Sequence, residues 1–191
     1  MADKKAIFII PGFNHSPADK AYRQIVKVLR KEGYSPILVK IPWKNTTILE
    51  NTKYFLKEYR KVKLKKKYIL GFSFGAMIAF IASTKVRSCG LILCSLSPFF
   101  KEDMPMSKVI TGKNKDFYKL RCASLAKKIK SKQILMMYGA QEARSLIKRV
   151  TDAFNNISSA NKFLISIYKT EHNIGAKSYL NKIHQAARVL N

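Results

Sequence analysis

Six short, β-branched and nearly continuous apolar runs recur along the chain with helical stretches between them: Ala6 to Ile10, Ser35 to Ile41, Tyr68 to Leu70, Gly90 to Ser95, Gln133 to Tyr138 and Phe163 to Tyr168. Runs of this kind suit strands covered by helices on both faces, because a half-exposed antiparallel strand would alternate apolar and polar residues. The alternation of strand and helix predicts a mostly parallel six-stranded sheet with right-handed crossovers, within a three-layer αβα sandwich of the α/β class. The 191 residues suffice for one substantial core and not comfortably for two, so a single domain over 1–191 is expected.

The covering helices are legible from their 3.6-residue periodicity. Ala18 to Lys31 carries Ala21, Ile25, Val28 and Leu29 on one stripe, and Gly33 sits where a left-handed C-terminal cap is wanted. Thr47 to Tyr59 turns Leu49, Phe55 and Leu56 inward, with Thr46 or Thr47 as its cap. A third helix follows Ser73, and its Ala76, Ala79 and Ala82 permit close packing on the sheet. Further helices are expected over Asp116 to Ile129, Ala143 to Asn155 and Lys177 to Leu190. The stretch from Ser97 to Asn114 is the least regular, and it reads either as a hydrophobic lip beside a site or as an ordinary crossover loop.

Composition narrows the function classes. No stretch approaches the roughly 18 apolar residues of a spanning helix. The short apolar run before Pro11-Gly12 lacks the length and cleavage site of a secretory signal, so a cytoplasmic location is the default expectation. Cys89, Cys94 and Cys122 are odd in number and lack C-x-x-C spacing, which argues for buried free thiols over disulfides or zinc. The 37 Lys and Arg against 11 Asp and Glu leave a formal charge of +26, enough to attract polyanions non-specifically. The cations are spread over nearly every polar face, with one dense run from Arg60 to Lys67, and no nucleic-acid module accompanies them. A solvated, lysine-biased surface is the expected meaning, with an anionic partner or substrate as the alternative.

Chemistry enters at Tyr68 to Ala79, where a strand feeds Gly71-Phe72-Ser73-Phe74-Gly75 and a small-residue helix follows. A side chain at the tip of so sharp a turn needs strained backbone angles, and neighbours at Gly71 and Gly75 without a Cβ. In this context a serine becomes a nucleophile. The Phe74 N–H, at the start of the helix behind it, is placed to receive an oxyanion.

With this elbow the chain resembles a small, lidless member of the α/β-hydrolase superfamily over nearly all its length, in a form lacking the fold's two N-terminal strands. The resemblance implies an acid after the second-last strand, where Tyr138-Gly139-Ala140-Gln141-Glu142 is similar to the common Tyr-Gly-x-x-Asp pattern and puts Glu142 in the acid position. Asp103 is the alternative, since some members place the acid after the preceding strand. It implies a base after the last strand, where Thr170-Glu171-His172-Asn173 supplies His172. His184 falls inside the last helix and His15 arrives in the wrong chain order. The order Ser73, Glu142, His172 is the one this fold uses. Pro11-Gly12-Phe13 resembles the family's His-Gly-x segment, with proline in place of histidine, and makes the Phe13 N–H the second oxyanion donor.

What the resemblance implies is acyl transfer to and from Ser73 on a small-molecule ester, with no metal or organic cofactor. A carboxylesterase for small or medium acyl groups is the first expectation. A degenerate scaffold that binds an anionic partner is the second, prompted by the charge and by the departures at Pro11 and Glu142. Phe13, Phe72, Phe74, Phe99 and Phe100 are candidates for an apolar acyl pocket, and Trp43 stands near them in the same ambiguity.

Overall fold

The computed structural model describes residues 4–104 and 116–190. Six strands form one sheet: β1 (Lys5–Ile10), β2 (Tyr34–Leu38), β3 (Lys66–Phe72), β4 (Gly90–Cys94), β5 (Gln133–Gly139) and β6 (Lys162–Ile167). Every neighbouring pair is parallel, in the order β2-β1-β3-β4-β5-β6. Pro36, which cannot donate to a ladder, falls in β2 at the edge, where that loss is tolerated.

Strand alternation sorts the side chains onto two faces. Ala6, Phe8 and Ile10 of β1 join Leu91 and Leu93 of β4 in one buried cluster, covered by α2 (Ile48–Lys61), α3 (Phe74–Ser83), α4 (Cys122–Ala126) and α5 (Arg144–Asn156). Ile7 and Ile9 join Ile92 and Cys94 in the other, covered by α1 (Lys20–Lys31) and α6 (Lys177–Val189). This is the expected three-layer sandwich. Both faces are apolar because both are covered, which is why the strands read as unbroken hydrophobic runs.

Local rules account for most element ends. Thr47 caps α2 by accepting the Glu50 N–H, and the Glu50 carboxylate accepts the Thr47 N–H at 2.7 Å. Gly33 turns the chain after α1 at φ 78°, as its position after that helix predicts. Tyr22, rather than Val28, joins Ile25 and Leu29 as a buried residue of α1. Cys94 and Cys122 are buried free thiols; burial pushes the Cys122 thiol up to about 12 and raises Cys94 as well, so both behave as small apolar groups.

The helix expected over Asp116 to Ile129 is broken. Phe117–Lys119 forms one 3₁₀ turn, Leu120 and Arg121 are extended, and α4 starts only at Cys122. The cause is a second 3₁₀ turn, Lys101–Asp103, that hydrogen-bonds into the gap: Lys101 N–H donates to the Leu120 carbonyl at 2.8 Å, and Cys122 N–H donates to Glu102 at 3.1 Å. Part of the irregular stretch read as a lip, 105–114, lies outside the described residues.

The strand order reverses direction between β1 and β3, since β2 lies on one side of β1 and β3 to β6 lie on the other. In open parallel sheets the crevice at the carboxyl ends of the strands beside such a reversal is where ligands bind. The dense basic run is at the other end. Lys65, Arg87, Lys130 and Lys132 precede β3, β4 and β5 and line a cavity of about 400 Å³ there, away from Ser73.

Candidate active site

Ser73 sits between β3 and α3 at φ 56° and ψ −119°, a region that side-chain-bearing residues rarely adopt. Its N–H donates to the Cys94 carbonyl at 2.9 Å, and its carbonyl accepts the Met77 N–H, so both ends of the turn are held. A Cβ at Gly71 would overlap the backbone of Gly75, and one at Gly75 would overlap the carbonyl oxygens of Ile10 and Pro11. The two glycines therefore serve close backbone approach, with α3 pressed against the turn and against the end of β1.

The loops after β5 and β6 bring their polar residues to the same edge. Gly139 lies so close to Thr170 that a side chain there would overlap the Thr170 carbonyl, and Gln141 N–H donates to that carbonyl at 2.9 Å. In this setting His172 Nε2 lies 3.0 Å from Ser73 Oγ, and His172 Nδ1 lies 3.2 Å from Glu142 Oε2. The imidazole rests against the Phe72 ring at 4.7 Å between centroids and is partly open to solvent, while the Glu142 side chain is fully buried. A hydroxyl, an imidazole and a carboxylate in this line can pass a proton from the serine to the histidine and hold the tautomer that accepts it.

Burial obliges Glu142 to find partners, and it has them. Its Oε1 accepts from the Gly139 N–H at 2.8 Å and from Ser95 Oγ at 2.6 Å. Ser95 Oγ is in turn 2.6 Å from the hydroxyl of Tyr179 on α6. Burial raises the Tyr179 phenol well above its ordinary pKa, with the nearby Cys94 and Glu142 adding to the effect, so the group stays protonated and can donate to Ser95. Ser97 Oγ lies 3.2 Å from Ser73 Oγ and can donate to it when Ser73 donates to His172. Neither Ser95, Ser97 nor Tyr179 stands out in the sequence. The two serines follow β4 at the carboxyl edge, which is a weak signal; Tyr179 reads only as a core residue of an amphipathic helix.

The other candidates are used elsewhere. Asp103 forms a forked ion pair with the buried Arg149, at 2.6 to 3.0 Å, and accepts the Phe100 N–H at 3.0 Å. His184 contacts Glu32 at 2.6 Å, linking α6 to the end of α1, and His15 contacts the Tyr22 hydroxyl at 2.9 Å. The backbone N–H groups of Phe13 and Phe74 find no acceptor among the described residues.

Of the five phenylalanines suggested by the sequence, Phe72 and Phe100 are buried core, whereas Phe13, Phe74 and Phe99 reach the open edge. Phe99 and Phe74 line a cleft of about 230 Å³ with Ser73, Ser97, Leu146 and His172. The Phe74 ring also forms a wall of a second pocket, about 290 Å³, shared with Phe13, Trp43 and Phe117. The two spaces meet at the residue that follows the serine.

No protein-family model matches the chain, and no curated protein matches it at a significant level. Solved structures match over nearly its whole length. Est1E from Butyrivibrio proteoclasticus superposes with a TM-score of 0.81 at 15% identity, covering 98% of this chain and 87% of Est1E. A monoacylglycerol lipase from Paleococcus ferrophilus gives 0.75 at 12% identity, covering 97% and 93% respectively. Alpha/beta hydrolase domain-containing protein 10 from mouse gives 0.74 at 12% identity, covering 95% and 87%. At such identities the likeness speaks for architecture, and with the six-stranded parallel sheet and its two helical layers it leads to one conclusion: the chain has the α/β-hydrolase fold.

Proposed function

We propose that this protein is a serine hydrolase, acting through a single domain on carboxylic esters with small or medium acyl groups, with Ser73 as nucleophile, His172 as general base and Glu142 as the acid that orients it. The observation that carries the reading is the unbroken line from Ser73 Oγ through His172 to the buried Glu142 carboxylate, at 3.0 and 3.2 Å, beginning on a serine at φ 56°. Two structural neighbours add support of the coarser kind, for one is a monoacylglycerol lipase and Est1E has been solved with ferulic acid bound.

In the proposed reaction His172 Nε2 takes the Ser73 proton as Oγ bonds to the ester carbonyl carbon. The carbonyl oxygen becomes an oxyanion held by the Phe13 and Phe74 N–H groups, the second at the positive end of α3. Collapse breaks the bond to the alcohol, which leaves with the proton from His172. Water then repeats the sequence on the acyl enzyme and frees the acid. A fluorophosphonate probe tests the reading: peptide mapping is expected to find the phosphonyl group on Ser73, and no covalent labelling of the intact protein would sink it.

Two substitutions separate the acid from its supports. Asp103→Asn is expected to weaken the pairing with Arg149 and lower stability by about 2 kcal/mol, a melting shift of about 4–8 °C for a chain of this size, with ester turnover retained. Loss of turnover in a folded Asp103→Asn protein would move the acid role away from Glu142. Tyr179→Phe removes one hydroxyl from behind Glu142. A hydrogen bond of about 1 kcal/mol, expressed in the barrier, corresponds to a kcat about fivefold lower with little change in KM; steady-state kinetics on an ester read this directly.

A further inference from the structure

Asn51 does not fit its surroundings. It lies in the second turn of α2, is 2% exposed, and its side-chain Oδ1 is buried without a hydrogen-bond partner. Among the described residues no other buried side-chain oxygen or nitrogen is left so. Buried polar groups are almost always paired, and an amide left bare is costly. A polar residue kept at an apolar helix position, against every local preference, is the kind of inconsistency that functional sites retain.

The surroundings suggest what completes it. Asn51 lines the 290 Å³ pocket whose other walls are Phe13, Trp43, Ile48, Phe74 and Phe117. The rings of Phe13 and Trp43 meet edge to face at 5.5 Å, and Phe13 and Phe74 lie 5.6 Å apart, so the walls are largely aromatic. A bridging water needs two to four polar partners. This lining offers little besides Asn51, because the Thr46 hydroxyl already donates to the Pro42 carbonyl. The pocket is therefore shaped for a flat or apolar body that carries its own donor to Asn51 Oδ1.

We infer that this pocket binds the apolar arm of the substrate and that Asn51 selects arms ending in a hydroxyl, with hydroxyaryl esters as the class that fits best. The aromatic body lies against Phe13, Trp43 and Phe74, and its hydroxyl donates to the Asn51 amide oxygen. The ester carbonyl lies on the Ser73 side of Phe74, whose ring divides the two spaces. The link to turnover rests on the serine-hydrolase reading; the binding itself does not.

Trp43 is the chain's single tryptophan and stands in the pocket wall, so its fluorescence reports occupancy without catalysis. The test uses Ser73→Ala protein, titrated with methyl hydrocinnamate and with its para-hydroxy derivative. Both esters are expected to change Trp43 emission, with the hydroxy ester bound about fivefold more tightly, the gain of one hydrogen bond. Asn51→Leu in the same background should abolish that preference, keep the binding of the plain ester, and raise the melting temperature because the unpaired amide is gone. Asn51→Ala carries the same comparison if the leucine variant does not fold. Equal affinities in the Asn51 protein, a preference that survives either substitution, or no response of Trp43 to either ester would overturn the inference. Failure of wild-type protein to turn over either ester, with the binding preference intact, would instead count against the hydrolase reading alone.

Discussion

Ser73→Ala is expected to lower ester hydrolysis by about 10⁴-fold or more and to abolish fluorophosphonate labelling, in a protein that still folds. The size follows from what the substitution removes. Without Oγ there is no covalent step, and what survives is binding together with the two oxyanion donors, which typically leave 10³–10⁴-fold over the uncatalysed reaction. The fold should persist because the turn is held by groups that alanine keeps: the residue's own N–H to the Cys94 carbonyl, and its carbonyl to the Met77 N–H. Alanine also keeps the Cβ, and with it the strained φ of 56°, so little relief is expected. Hydrolysis of p-nitrophenyl esters, labelling and a circular-dichroism melt check the three parts. Turnover near the wild-type rate in Ser73→Ala would remove the proposed mechanism at its first step.

Gly75→Ala has the largest expected effect on folding, and its sign is informative. Gly75 is in the first turn of α3, where helix propensity alone favours alanine by about 1 kcal/mol. The structure predicts the reverse. The new methyl would occupy space held by the carbonyl oxygens of Ile10 and Pro11, which are main-chain atoms at the end of β1 and cannot turn aside as a flexible side chain could. Relief requires moving α3 away from the strand, along with the elbow and the loop that carries Phe13. A loss of about 3 kcal/mol is expected, at the upper end of what one added methyl does in a tight site. Urea unfolding measures it, and an unchanged or raised midpoint would mean that α3 and β1 are not in contact as described. Activity should fall further than stability, since both proposed oxyanion donors ride on the elements that must separate.

Much of the architecture can be read from the chain because the relevant forces are local or periodic. Buried parallel strands leave continuous apolar runs, amphipathic helices leave a stripe, and the elbow leaves two glycines beside a serine. His172 and Glu142 were identifiable by their loops, since a parallel sheet delivers every strand's carboxyl end to one edge. The broken helix before α4 was not identifiable, because the break is made by hydrogen bonds from Lys101 and to Glu102, whose partners lie about twenty residues away in the chain. The five phenylalanines near the serine likewise could not be sorted. Phe72 turns into the core and Phe74 into the cleft, although only Ser73 separates them.

The amino-acid order alone thus specified the sheet, its covering helices and the chain order of the serine, acid and histidine, because each rests on backbone geometry and hydrophobic periodicity within a few residues. Tertiary structure decided which carboxylate meets the imidazole, pairing Glu142 with His172 and Asp103 with Arg149. It also decided that Tyr179 reaches Ser95 across 84 positions, and that Asn51 is buried with an empty acceptor beside an aromatic pocket. The physical reason is common to all three. Desolvation and hydrogen-bond satisfaction depend on which distant groups share a space, and an isolated residue type carries no record of that.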